Sequence, residues 1–519
     1  MRLLVRPLLH ASLVVAACAR ASAPPPSPPA TAASGTPLPG PLPPHANAEQ
    51  LGTWIDAYVS AFGARWGEAY AAQGYLVIAE DGKILFEKAY GEADRARGRV
   101  AGLDTRFRIG SLTKQFTSAA ILQLAEQGRL RLDDPIRKYL PDYPAAGDAI
   151  TIHHLLTHTS GIPNYTDDEA LMQRRERPMT QAELIASFKD KPLEFEPGSE
   201  FEYSNSGYFL LGVIIERVSG ERYEDYLQAN VLRPAGMTRT STVDAPDADD
   251  TAIGYVASPD ETLTRAQPID MSIPFAAGAL RSTARDLLAW DRALAGDTIL
   301  DETWKERMFT PFKDGYAYGW FVGDEQGKRV VSHAAGIDGF TGYIARVPEA
   351  GLVVIALSNN EDFPAARIGR PALSMVLSGE PIPPVEERSV LALDEAVTNG
   401  LIGEYVLAPE SRKELEAAIP AANLQAIASV AFSTEGGRLF FKAAGQERRE
   451  LFQGEGGVLF TKTSGVEITA DPGDRPNAPA KGVTVAQGEL RIRYARGSVG
   501  AKKSAAPKRR GDRRAPARG

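Results

Sequence analysis

The dipeptide Asp81-Gly82 separates two apolar runs, residues 75–79 and 84–90. Both central positions of a two-residue hairpin turn need positive φ, which Asp and Gly tolerate, so the spacing predicts a tight antiparallel hairpin. A second hairpin pattern lies far downstream, at residues 340–346 and 351–358. The stretch between is mostly helical in period. Before the first hairpin, Leu51, Trp54, Ile55, Tyr58, Phe62 and Trp66 recur at the spacing of one helix face. A helix, a hairpin, a long helical middle and a late hairpin predict one large α/β domain. Its antiparallel sheet is built from both ends of the segment and flanked by helices. This domain is expected over residues 49–380, followed by a Pro-bearing linker at 381–398.

Residues 399–497 read differently. Short apolar runs at 402–407, 439–442, 457–462, 466–469, 483–486 and 490–494 are punctuated by glycine. That spacing predicts a small all-β domain, a sandwich or a barrel. No internal repeat has a fixed period. Residues 498–519 hold eight basic side chains against one acid, Asp512. With a net charge of -8 for the chain, this tail is +7 and the remainder -15. A body that acidic is a poor nucleic-acid binder, because phosphate contacts need clustered cations. The tail reads as solvated and disordered, with contact to anionic envelope polymers as the alternative.

Cys18 is the single cysteine, so no intrachain disulfide and no Cys-rich metal site can form. Arg2 and Arg6, a short apolar run at 8–17 and Val15-Ala16-Ala17 before Cys18 describe an export signal. The pattern over residues 1–18 resembles a bacterial lipoprotein signal, in which the cysteine becomes a lipid anchor. A plain secretory peptide is the alternative. Ten prolines within residues 21–46 make residues 19–48 an extended tether. The expected location is the bacterial cell envelope, periplasmic or at the outer membrane. Membrane contact would run through the lipid only.

Three short constellations carry chemistry. Ser111-Leu112-Thr113-Lys114 follows Gly110 and precedes an apolar helix over 116–125, with Gly128 placed to stop it. Residues three apart share a helix face, so the Lys114 amine can reach the Ser111 hydroxyl, and serine needs a neighbouring base to act as a nucleophile. Tyr203-Ser204-Asn205 offers a phenol able to shuttle a proton and an amide with both donor and acceptor. His333-Ala334-Ala335-Gly336 stands at the start of the late strand, with Gly339-Phe340 after it.

These three motifs, in this order, resemble those of the serine beta-lactamase and penicillin-binding family. The branch is the one holding class C beta-lactamases, D-Ala-D-Ala carboxypeptidases, D-aminopeptidases and related esterases. Segments 130–142, 152–165, 203–220 and 277–288 match as well, and the resemblance covers about residues 50–380. Residues 400–497 resemble the small β domain often appended to this branch. The resemblance implies that Ser111 attacks a carbonyl and forms an acyl-enzyme. Lys114 and Tyr203 would share proton transfer, and Asn205 would orient Lys114 and the substrate amide. His333 would take the place of the third motif's usual Lys or His. The backbone N–H groups of Ser111 and Gly336 would form the oxyanion hole. No metal or organic cofactor is implied; the partner is a small ester, amide or peptide substrate.

The third motif departs from the family pattern. Ala334 lacks the hydroxyl that usually contacts a substrate carboxylate, and Ala335 adds a methyl where glycine lets the strand approach substrate. An esterase or a D-amino-acid or D-Ala-type peptidase is therefore expected over an efficient beta-lactamase. The alternative is a non-catalytic penicillin-binding-like sensor or envelope binding protein. His153, His154 and His158 read as scaffold, since no Glu accompanies them as in a zinc protease helix. Lys462-Thr463-Ser464-Gly465 reads as a strand end in the β domain. Asn164 and Tyr165 either line the pocket or simply pack. Tyr208 and Phe209 read as core.

Overall fold

Alternating buried side chains explain the central sheet. The computed structural model describes residues 48–242, 250–258, 261–379, 389–418, 427–443, 448–462, 466–471, 473, 478–487 and 490–497. The signal with Cys18, nearly all of the tether, the first part of the linker, residues 463–465 and the basic tail lie outside them. Helix α1 (Ala48–Trp66) leads into β1 (Gly74–Glu80) and β2 (Lys83–Tyr90). Asp81 and Gly82 join the two strands with φ of 50° and 76°, the positive values anticipated. Next come α2 (Thr113–Glu126), α3 (Asn205–Ser219) and a small hairpin, β3 (Tyr255–Ala257) and β4 (Leu263–Arg265). Helix α4 (Ala284–Ala295) follows, then β5 (Phe321–Glu325), β6 (Lys328–Ile337), β7 (Phe340–Val347) and β8 (Leu352–Ser358), and finally α5 (Ala366–Ser378).

The six-stranded sheet has the order β2-β1-β8-β7-β6-β5 with every pair antiparallel. The N-terminal hairpin thus sits against the C-terminal strands. Val77 and Ala79 of β1 and Val353 and Ile355 of β8 join a core that includes α2 and α4. Leu76, Ile78, Val354 and Ala356 join a second core with Trp54, Tyr58, Ile368 and Leu373 from α1 and α5. Strands covered on both faces need no polar alternation, which is why β1 and β8 read as continuous apolar runs.

Helix α2 runs through the middle of the first core, with every residue from Thr113 to Ala125 buried. It ends where Gly128 takes φ 69° and the Gly128 and Arg129 amides donate to the carbonyls of Ala125 and Leu124, at 2.9 Å each. That left-handed stop requires glycine.

The C-terminal unit is a closed barrel. Its strands are β9 (Gly403–Leu407), β10 (Ser429–Glu435), β11 (Arg438–Ala443), β12 (Arg449–Gln453), β13 (Leu459–Phe460), β14 (Val466–Asp471), β15 (Gly482–Gln487) and β16 (Leu490–Arg496). β9 pairs with β16 to close it. Tyr405, Phe432, Phe441, Ile468, Ile492 and Tyr494 fill the interior. Strands β10 and β12 were not expected from sequence. Their sequences, SVAFSTE and RELFQ, are largely polar because a barrel wall buries only alternate residues. The expected all-β domain is this barrel, and one helix, Pro409–Ala418, lies between β9 and β10. No helix among the described residues is long and apolar enough to cross a membrane.

Candidate active site

Ser111 lies in a 3₁₀ turn, Gly110–Leu112, that runs directly into α2. Lys114 occupies the first turn of that helix and is 0% exposed. Its Nζ is 3.1 Å from Ser111 Oγ and donates to Asn205 Oδ1 and to the Ala277 carbonyl, each at 2.8 Å. Burial holds the amine's pKa well below its usual value, because an interior of low dielectric disfavours the cation. A neutral amine has two N–H groups and one lone pair. Two of its three neighbours are carbonyl oxygens, which can only accept. The lone pair is left for the Ser111 hydroxyl.

Tyr203 is on the segment just before α3, whose first residue is Asn205. Its ring lies 4.8 Å from Lys114 Nζ and 4.2 Å from the ring of His158. Its hydroxyl is buried and close enough to Ser111 for that side chain to draw its pKa down, although no full hydrogen bond forms among the described residues. Burial dominates and pushes the phenol well above its ordinary value. The group is therefore a protonated donor at neutral pH. The three side chains Ser111, Lys114 and Tyr203 converge.

Asn205 is oriented from behind. Its backbone N–H donates to Asn164 Oδ1 at 3.0 Å and its Nδ2 to Thr166 Oγ1 at 3.2 Å; Asn164 Nδ2 donates to the same hydroxyl at 2.7 Å. Asn164 is thus a support for Asn205. Tyr165 takes the packing alternative: it is 1% exposed and its hydroxyl donates to the Ile273 carbonyl at 2.7 Å. Thr166 and the Ala277 carbonyl went unnoticed in the sequence, where nothing distinguishes one Thr or one backbone oxygen from another. His158, read as scaffold, stacks on Tyr203 and accepts the Ser204 N–H on Nδ1 at 3.1 Å. His153 and His154 remain scaffold: His153 meets Tyr318, and His154 completes the capping of the helix Ile152–Leu156.

His333 sits in the middle of β6, not at the start of the strand after it. It is 2% exposed, and burial, then the nearby Lys114 charge, push its pKa down to about 3. Its Nδ1 donates to the Ala334 carbonyl at 2.6 Å, which leaves Nε2 as acceptor for the Tyr316 hydroxyl, 3.4 Å away. The imidazole is neutral and turned inward, and it supplies no positive charge. Ala334 is exposed and Ala335 half-buried. β5 pairs with residues 328–332 of β6, so residues 333–337 are laddered on the β7 side only. Gly110 has φ 47°, and a Cβ there would stand 2.9 Å from the Gly336 carbonyl oxygen. The Ser111 turn and the Gly336 strand therefore meet backbone to backbone, which requires glycine at 110. Directly before Tyr203 in the chain, burial and the charges of Glu194, Asp167 and Glu200 push Glu202 up to about 7. No cluster of three or more potential metal ligands occurs among the described residues.

Comparison with known proteins fits this geometry. The family model described as Beta-lactamase matches residues 55–375. Penicillin-binding protein 4* of Bacillus subtilis (strain 168) is 30% identical over 427 residues, covering 78% of this chain and 90% of that protein. The solved octameric penicillin-binding protein homologue from Pyrococcus abyssi superposes with a TM-score of 0.57 at 25% identity, over 85% of this chain and 99% of that one. A D-stereospecific amidohydrolase from Streptomyces sp. gives 0.53 at 25% identity, over 63% and 98%.

Proposed function

Since the chain belongs to the beta-lactamase family, we propose that it is an exported serine hydrolase that forms an acyl-enzyme on Ser111. Its substrate is an ester or an amide without a carboxylate near the scissile bond. The observation that carries this reading is the buried Lys114 amine, its pKa lowered by burial, held by the Asn205 and Ala277 oxygens 3.1 Å from Ser111 Oγ. Lys114 takes the Ser111 proton as Oγ bonds to the carbonyl carbon. The N–H groups of Ser111 and Gly336 receive the oxyanion, each donor worth roughly 3 kcal/mol of barrier. The Tyr203 phenol gives its proton to the departing alcohol or amine and is refilled from the Lys114 ammonium. Water then attacks the acyl carbon, losing a proton to Lys114, and Ser111 regains its hydrogen as the acid leaves.

Substrate preference follows from charge. Neutral His333 and Ala334 without a hydroxyl offer an incoming carboxylate neither a cation nor a hydroxyl to bind. An ester or a D-amino-acid amide or peptide fits better than a penicillin, and the similarity to a D-stereospecific amidohydrolase supports the amide class. Export and a lipid on Cys18 belong to the same reading. Labelling with a fluorophosphonate and with a fluorescent penicillin tests it, on wild type and Ser111→Ala. The fluorophosphonate should label wild type only, and the penicillin should label weakly. A wild-type protein that neither reagent modifies would overturn the proposal.

A further inference from the structure

One contact of the barrel with the catalytic domain leads towards the cleft. Lys462 of the barrel is 4% exposed. Its Nζ pairs with Glu261, which lies at the tip of the β3–β4 hairpin, and sits 4.3 Å from the Tyr70 ring and 4.0 Å from the Phe452 ring. Phe452 and Phe460 of the barrel complete the second core of the catalytic domain, and Tyr70 packs edge-on against Phe452 at 5.8 Å.

From Glu261 the contacts run inward. At the base of the hairpin, the Ala266 N–H donates to the Gly254 carbonyl at 2.9 Å. Gly254 and Gly339 touch so closely that a Cβ on Gly339 would lie 2.7 Å from both Gly254 Cα and Ala266 Cβ. Gly339 belongs to the two-residue turn between β6 and β7, where Ile337 pairs with Phe340. The same turn is held by the Glu361 carboxylate, which accepts the Gly339 N–H at 2.8 Å, and by Arg175, which donates to Asp338 at 2.6 Å. Three residues before Gly339 is Gly336, which abuts Gly110 and carries the second oxyanion donor of the proposed reaction. The barrel also approaches near Asp167, next to the Thr166 that holds Asn205: burial raises the Asp167 pKa, and the charge of barrel Lys442 opposes that rise in part.

We infer that the Lys462–Glu261 pair is a positioning device through which the barrel sets the β6–β7 turn and hence the Gly336 amide. This rests on the acyl-transfer reading above. The device acts by restricting where the turn can sit, through the packed contacts from Glu261 to Gly339.

The test uses the full chain with Glu261→Gln, Lys462→Met and the double variant. Methionine keeps the packing between Tyr70 and Phe452 and removes the charge; Glu261 is 45% exposed, so its variant should fold. On an acyl p-nitrophenyl ester, each single variant should lower kcat about five- to tenfold with KM within about twofold. The double should be no worse than a single, the signature of one coupled pair. Hydrogen exchange of the peptide spanning residues 333–342 should quicken in all three, whatever the turnover. Unchanged exchange there overturns the inference, as does unchanged kcat beside a lowered melting temperature, or effects that multiply in the double variant. A wild type that is neither labelled at Ser111 nor active defeats the hydrolase reading instead, and the exchange result still decides whether the Lys462–Glu261 pair positions the turn.

Discussion

On the α2 wall of the cleft, Lys114 is ringed by Ser111, Asn205 and the Ala277 carbonyl, and Asn205 is held in turn by Asn164 and Thr166. On the β6 wall, Ala334 and Ala335 present no polar side-chain atom, and His333 spends its proton on the Ala334 carbonyl. The first wall gathers the side chains of the proposed acyl transfer, to which β6 adds only the Gly336 backbone N–H. The other carries no side chain suited to capture an anion. The contrast teaches that the side chains proposed for bond chemistry and those placed to capture substrate sit on separate elements here, so the second set can change while the first stays.

Removing the base should break the first wall outright. Lys114→Met is expected to lower kcat by two to four orders of magnitude with KM little altered, measured on an activated ester. In the wild type, kcat/KM should rise with pH as Lys114 loses its proton, and that rise should vanish in the variant. A pH–rate profile unchanged by the substitution would transfer the role of base to Tyr203.

Restoring the second wall should sharpen the comparison. Ala334→Thr combined with Ala335→Gly returns a hydroxyl and a close backbone approach. Acylation by a fluorescent penicillin should speed up at least about tenfold, since one hydrogen bond to a charged group contributes about 1.5 kcal/mol or more. Turnover of a simple ester should hold steady.

The smallest effect concerns His333. A base whose pKa falls from 6.5 to about 3 on folding binds its proton in the unfolded chain first. Stability is therefore lost as pH drops from about 6.5 towards 3. His333→Gln has nothing to titrate, so its melting temperature should fall less steeply over that window, by several degrees in a thermal scan. Identical pH dependence in both proteins would mean that His333 is not neutral inside.

Much of this molecule was legible in its residues. Asp81-Gly82 announced the first hairpin because only a few residue types tolerate its backbone. Continuous apolar runs marked β1 and β8 because both of their faces are covered. Ser111 and Lys114 were legible because three residues along a helix bring side chains together whatever the rest of the chain does. Strands β10 and β12 were hidden, since a barrel wall leaves half its residues polar. What lies far apart along the chain was decided by folding alone: that Asn205 and the Ala277 carbonyl both face Lys114, that His333 turns inward, and that barrel Lys462 reaches Glu261. Local sequence sets backbone preference and side-chain spacing. Burial, and with it the charge a group carries, is set by which distant segments come to rest against it.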